Sequence, residues 1–311
     1  MSGPVTAGEA EALQSAETPV TQAAGVEITE SVVSQVGEFS VRRALPRRTR
    51  RMIGAWCFID HMGPATVDQH GLGVAPHPHI GLQTVTWLLA GEALHRDSLG
   101  TEQVIAPGQL NLMTAGHGVS HSEEGTGCRG ELHGVQLWVA QPDHTRHEAA
   151  AFEHHADLPR VDLDHAVATV VIGELAGVVS PARRDTDHAG IDLDLRPGRT
   201  TMPLRPDYEH GIVVLAGACT LDGADITPGH LAYLGVGRDE ITLDTRDPTR
   251  AVLVGGVPFD EPMLMWWNYV ARTCDEIISA HRDWTERAAR FGHVDSQLPR
   301  YEIGPPPWRP Q

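Results

Sequence analysis

Two short patterns in this sequence have the residue types and the spacing for metal chemistry. His77-Pro78-His79 places imidazoles at i and i+2, and 42 residues after His79 the segment His121-Ser122-Glu123 places an imidazole and a carboxylate at the same spacing. On an extended strand such positions project to one face. If the two segments are neighbouring strands of one barrel, three nitrogens and one oxygen converge in its interior. That donor set suits a divalent first-row transition metal, with Fe, Mn, Co, Ni and Cu all compatible, and leaves positions open for water or substrate. Pro78 fits the start or edge of a strand. A lone HxH is commonly just strand polarity. The later HxE, with Gly91 and Pro107-Gly108 at intervening turns, makes the ligand reading specific.

The elements that must position these residues are β-strands. Between Thr84 and Val139, short apolar runs are broken by turn signals at Ala90-Gly91, Leu99-Gly100, Pro107-Gly108, Gly116 to Gly118 and Gly125 to Gly130. That rhythm marks an antiparallel sandwich or barrel. A second strand-rich stretch runs from Val167 to Val257. Leu88-Leu89-Ala90-Gly91 recurs as Val214-Leu215-Ala216-Gly217, and Ile105-Ala106-Pro107-Gly108 recurs as Ile226-Thr227-Pro228-Gly229. We read an internal duplication of a barrel unit, the alternative being two unrelated β-domains that share turn chemistry. Expected boundaries are a mobile tail over 1–28, a metal-binding domain over 29–150, a linker over 151–166 and a second domain over 167–311. Near the C-terminus, Thr273 and Glu276 have the spacing of a capping box. They predict an amphipathic helix over about 274–291, packed on the second barrel.

Composition removes several function classes. Of 311 residues 41% are hydrophobic, and 24 basic against 41 acidic side chains leave a net charge of −17. A nucleic-acid backbone would be repelled rather than neutralised. All the basic residues are Arg, so Schiff-base lysines and the lysine of a phosphate loop are excluded. No run of about 18 apolar residues suggests a membrane span. Cys57, Cys128, Cys219 and Cys274 have no CxxC pairing and read as reduced thiols. With six Glu and no Arg in the first 41 residues, we expect a cytoplasmic protein.

The stretches His77–Val85, Met113–Glu123, Leu132–Val139 and Phe58–Pro64 together resemble the cupin double motif and, more narrowly, the pirin family of bicupins. The likeness is close over residues 30 to 140 and looser beyond. It implies an all-β fold of two tandem cupin barrels of the double-stranded β-helix or jelly-roll kind with a C-terminal helix. It further implies one metal per chain, Fe(II) by preference, held by His77, His79, His121 and Glu123. Some family members are quercetin 2,3-dioxygenases, so the implied activity is opening of a quercetin-type flavonol ring by O₂ with release of CO, Glu123 accepting the substrate hydroxyl proton. Other members are non-catalytic regulators of a transcription factor or metabolic enzyme, which would make the partner a protein. The family often has glutamate where this chain has Gln83, a position that cannot contribute charge.

Other motifs carry less. Gly125 to Gly130 fits GxGxxG but leads into a strand-like run rather than a helix, so the dinucleotide reading fails. Arg42, Arg43, Arg47, Arg48, Arg50 and Arg51 read as a solvated loop or as ion-pair partners. His117 and His133 are candidates for orienting the ligands, with Gln83 or Asp60 as acceptors, weighed against plain loop or strand polarity; Phe58, Met113 and Trp138 read first as core packing, with a cavity wall as the alternative. Laying the first barrel's ligands on the second reaches Pro203, Arg205, Thr242 and Asp244, which is no ligand set; Glu209, His210 and His230 read as surface residues, with a partial site as the alternative. Elemental analysis is therefore expected to find one metal equivalent per chain, unchanged in the His210→Ala/His230→Ala double variant. Two tightly held equivalents would contradict this.

Overall fold

Alternating burial along short runs closed by glycine turns gives strands over most of the chain. A computed structural model describes residues 25–36 and 39–309, so most of the tail expected over 1–28 lies outside the described residues. The strands build two units with the same topology. The large sheet of the first unit is ordered Ala151–His155, Leu110–Thr114, Leu82–Ala90, Gly130–Ala140, Trp56–Val67, Phe39–Leu45, Val32–Val36. That of the second is Glu27–Glu30, His230–Gly235, Glu209–Ala216, Thr249–Gly256, His188–Leu195, Ala166–Ile172, Arg160–Leu163. Each has a facing four-stranded sheet, ordered Val74–His79, Val119–Glu124, Ala93–Asp97, Glu102–Ile105 in the first and Gly198–Pro203, Glu240–Thr245, Cys219–Leu221, Ala224–Ile226 in the second. Counterpart strands occupy the same places in both orders, which agrees with the duplicated LLAG/VLAG and IAPG/ITPG segments.

The units exchange their edges. Ala151–His155 closes the first large sheet against Leu110–Thr114. The equivalent place in the second is filled from the opposite end of the chain, by Glu27–Glu30 against His230–Gly235. The segment read as a linker therefore holds one strand of each sheet, Ala151–His155 in the first and Arg160–Leu163 in the second. Glu27 and Ile28, placed in the tail by sequence, are already in a strand. The Arg cluster also serves this junction: Arg50 is buried, bonds Glu27 at 2.8 Å and stacks over Tyr233. Arg43 pairs with Asp60 through two hydrogen bonds, and Arg42 donates to the Gly63 carbonyl.

The C-terminal helix spans Cys274–Thr285, followed by a 3-10 turn at Ala289–Phe291. Thr273 caps it, its hydroxyl accepting from the Glu276 N–H, while the Glu276 carboxylate reaches past the cap to the N–H of Arg272. Sequence reasoning set the helix on the second barrel, but it packs on the first. Its buried Ile277, Ala280 and Trp284 share an apolar cluster with Ile80, Trp266, Trp267, Tyr269 and Phe291. The hairpin Leu264–Trp266/Tyr269–Ala271 anchors this return, Val270 N–H donating to the Ile80 carbonyl. Gly81 permits the approach: it has φ +65°, and a Cβ there would sit 2.2 Å from the Val270 carbonyl oxygen. An amphipathic stripe specifies that a helix must be covered, not which barrel covers it.

The large sheets pack on each other through Trp56, Trp87, Leu137, Val171, Val213, Leu215 and Val252. Trp56 is fully buried, its indole N–H lies 3.1 Å from the carbonyls of both Ala189 and Gly255, and its ring meets His188 edge-on. It thus spends apolar area and a polar handle on the joint between the units. Trp56→Ala is expected to destabilise the protein by about 3–5 kcal/mol, measured as a fall in the chemical-denaturation midpoint; a change within error would show that the joint does not rest on this ring.

Candidate metal centre

Three imidazoles meet inside the first barrel. Val74–His79 and Val119–Glu124 are antiparallel neighbours with His121 opposite His77 and Val119 opposite His79. The i, i+2 phase that puts His77 and His79 on one face thus aims them at His121. One donor atom from each lies within 4.8 Å of the others, and each residue is 3% exposed or less. The spacing argument for these three residues matches the structure.

The expected fourth member, Glu123, stands apart from this group. The register slips between His121 and Glu123, pairing Glu123 with Val74 where strict alternation would give Ala75. Its carboxylate still lines the same cavity, buried, with Oε1 3.1 Å from the Thr86 hydroxyl. That hydroxyl is also 3.0 Å from the Gln136 side-chain oxygen.

The ring nitrogens on the far side of the cluster are committed. His77 Nδ1 donates to the Ala75 carbonyl at 2.8 Å and His79 Nδ1 to the Asn268 carbonyl at 3.0 Å. Each neutral ring then carries its lone pair on Nε2. The Nε2 atoms of His79 and His121 are 3.1 Å apart. Two nitrogens bound at about 2.0–2.2 Å to one cation, roughly at right angles, would stand about this far apart. Lone pairs held at that separation in a dry pocket repel unless a cation or proton lies between them. The residues therefore fit a divalent metal.

Electrostatics agrees with that fit. Burial pulls His77 down to about 3, the Ala75 carbonyl opposing the shift. Burial first, and then the neighbouring His77 ring, hold His79 and His121 well below the ordinary imidazole value. All three are thus in the neutral form a metal requires. Burial pushes Glu123 above the ordinary carboxylate range, opposed by His95 and the Thr86 hydroxyl.

The cavity walls include Val41, Phe58, Met62, Leu72, Val74 and Trp138, with Asp60, Thr84 and Gln136 as polar members. Phe58 and Trp138 line the cavity and stack at 4.0 Å between centroids, whereas Met113 does not line it; all three belong to one packed apolar cluster. The cavity is small, about 30 Å³. Gln83 does not line it and donates instead to the Thr114 hydroxyl.

Several orienting roles fall elsewhere than expected. His117 is exposed, and His133 pairs with His61 at 3.0 Å between Nε2 atoms. The acceptors for the His77 and His79 rings are backbone carbonyls, not Gln83 or Asp60. Sequence reasoning missed Asn268, whose sequence distance from His79 leaves no local signal, and His95 and Asp97, which do leave one: His95-Arg96-Asp97 has the same i, i+2 spacing on a strand.

In the second barrel, the strands equivalent to the ligand strands turn Thr200, Met202, Ile241 and Leu243 inward. The positions compared by offset mostly face outward, where Arg199 pairs with Asp244 and Thr201 with Thr242. Glu209 accepts from Gly54 N–H and the Tyr233 hydroxyl, and His230 lies against Thr227. His210, read as a surface residue, is buried beside Tyr208. Among the described residues, the three-histidine group is the one cluster of metal-binding type. The GxGxxG segment leads into the strand Gly130–Ala140, as expected.

Two barrels of one topology, one of them enclosing three convergent imidazoles, define a bicupin with a candidate metal centre. Comparison with known proteins makes the assignment narrower. The Pirin family pattern matches residues 38–139 and that of the Pirin C-terminal cupin domain matches residues 190–292. The chain belongs to the pirin family. It is 47% identical over 276 residues, 88% of each chain, to a Pseudomonas aeruginosa protein named "Putative quercetin 2,3-dioxygenase". It is 31% identical to human pirin, covering 75% of this chain and 82% of that one. A crystal structure of a quercetin 2,3-dioxygenase from Acinetobacter baumannii superposes with a TM-score of 0.88 at 41% identity, covering 92% of this chain and 97% of that chain.

The depressed imidazoles make the metal-free fold acid-sensitive. A histidine lowered to about 3 in the folded state takes up its proton near pH 6.5 only when unfolded. Its contribution is therefore intact above about pH 6.5 and lost as pH falls toward 3. Urea denaturation of chelator-treated protein near pH 7, 6 and 5 is expected to show stability dropping by up to about 1.4 kcal/mol per pH unit for each such ring. His77→Gln should flatten that slope by about one proton, and an unchanged slope would contradict the assignment.

Proposed function

We propose that this protein is a metal-dependent dioxygenase that opens a quercetin-type flavonol ring with O₂ and releases CO, with Fe(II) held by His77, His79, His121 and Glu123. The observation that carries the proposal is the convergence of three neutral imidazoles on a buried, aromatic-walled cavity that also contains the Glu123 carboxylate and the Arg43-paired Asp60. The names of the Pseudomonas and Acinetobacter relatives supply the substrate class. The four free thiols support a cytoplasmic setting.

Bound in this site, the ion would supply Lewis-acid activation of the substrate hydroxyl and a binding place for O₂. The chain supplies the rest. Trp138, backed by the Phe58 ring, and the aliphatic Val41, Leu72 and Val74 offer apolar surface to an aromatic substrate. Glu123 accepts the hydroxyl proton. Its burial makes it a stronger base than an exposed glutamate, and the Thr86 hydroxyl steadies one oxygen. To act as a base Glu123 must stand clear of the ion, because a carboxylate held tightly by a cation is a poor proton acceptor. Asp60, paired with Arg43, adds a charge-neutral polar wall.

The cavity's small volume favours a second reading, in which the same centre shapes a surface for a protein partner, a transcription factor or metabolic enzyme, and no small substrate enters. Oxygen uptake decides between them. Anaerobically purified protein of known metal content is expected to consume O₂ with a flavonol. Glu123→Gln should keep measurable metal and flavonol binding while kcat falls by roughly 10²–10⁴-fold. Wild-type uptake by the metal-loaded variant would remove Glu123 as the base. No uptake by metal-loaded wild type with any flavonol would leave the regulatory reading.

A further inference from the structure

We propose that Asp97 and His95 form a positioning chain that fixes the tautomer of His121, and so controls whether its Nε2 can bind a cation. This rests on the metal-centre reading above. The strand Ala93–Asp97 lies against Val119–Glu124, with Asp97 opposite His121 and His95 opposite Glu123. Asp97, His95 and His121 are all buried. Asp97 Oδ1 accepts from the backbone N–H groups of Leu99 and Thr101 at 2.9 and 3.0 Å, and Oδ2 lies 3.0 Å from His95 Nε2. His95 Nδ1 in turn lies 3.4 Å from His121 Nδ1.

Proton positions follow from these contacts in order. An ionised carboxylate can only accept, so His95 carries its proton on Nε2. In its neutral form His95 then has a lone pair at Nδ1, and His121 must supply the proton of that contact from its own Nδ1. The lone pair of His121 is thereby left on Nε2, the atom that faces His79. Phe152 stacks on the His95 ring at 4.5 Å and 24°, fixing the plane in which the chain operates. Ala75 and Asn268 set the tautomers of His77 and His79 through backbone carbonyls, which no substitution can invert. His121 alone depends on a side-chain chain that can run backwards.

Asp97→Asn tests this with almost no change of shape. The two loop N–H groups keep the amide oxygen, so the NH₂ faces His95 Nε2 and obliges it to accept. The His95 proton moves to Nδ1, His121 Nδ1 must then accept, and the His121 proton moves to Nε2, into the metal position. Chelator-treated protein titrated with Co(II), followed by its visible absorption, should show a Kd raised about 10–100-fold in Asp97→Asn, with the wild-type far-ultraviolet circular dichroism retained. Wild-type Co(II) affinity in Asp97→Asn, while His121→Ala loses binding, would overturn the proposal. Failure of wild type itself to bind Co(II) would overturn the metal-centre reading instead. Nitrogen-15 NMR of the imidazoles in metal-free wild type gives a readout independent of how the variants fold. It should find His95 protonated at Nε2 and His121 at Nδ1, and the opposite tautomers would overturn the proposal whatever the titration gives.

Discussion

The centre depends on where three protons are held. Each of His77, His79 and His121 can offer a lone pair inward only if its other nitrogen gives its proton to something fixed on the outside. Ala75 does this for His77 from within its own strand, and Asn268 does it for His79 from the returning C-terminal segment. His95 does it for His121 from the neighbouring strand. The burial that keeps the rings neutral also makes any unpaired nitrogen costly. Desolvation and hydrogen bonding therefore act together: one removes charge from the rings, the other orients them.

That requirement explains why the chain crosses back. The hairpin that delivers the Asn268 carbonyl is itself strained, since Trp267 has φ +53° in a fully buried position, a conformation that persists only when its surroundings fix it. Those surroundings are the apolar cluster of Ile80, Trp266, Tyr269, Trp284 and Phe291. The helix tightens it through Arg146, which bonds Glu276 at 2.9 Å. Further along, Ser120 in the ligand strand donates to the Phe291 carbonyl, and Tyr301 N–H donates to the Pro76 carbonyl. Both ligand strands are thus tied to residues that follow the second barrel in sequence. Truncating the chain after that barrel would remove orienting groups from a site more than a hundred residues earlier.

The two barrels represent two uses of one topology. In the first, the inward positions of the ligand strands carry imidazoles that must be paired. In the second, the corresponding positions are Thr200, Met202, Ile241 and Leu243, which join an apolar interior. Apolar packing needs only volume and burial, whereas a polar interior needs each donor and acceptor matched. The second unit contributes a large sheet packed against the first through Trp56, and its edge is closed by Glu27–Glu30.

The sequence by itself determined the β-class, the duplication and the three histidines, because strand periodicity and glycine turns are local and i, i+2 donors share a face whatever surrounds them. Glu123 was legible as a residue of the site but not in its position, since a register slip depends on how two strands hydrogen-bond. The helix was legible through its cap and its stripe, yet its partner was not: amphipathicity says that a face must be covered, and only the fold says by what. Asn268 was invisible because a backbone carbonyl has no residue signature. His95 and Asp97 stood in the sequence with the right spacing, but the pairing of Ala93–Asp97 with Val119–Glu124, a contact between distant segments, is what turns that spacing into a hydrogen-bond chain to His121.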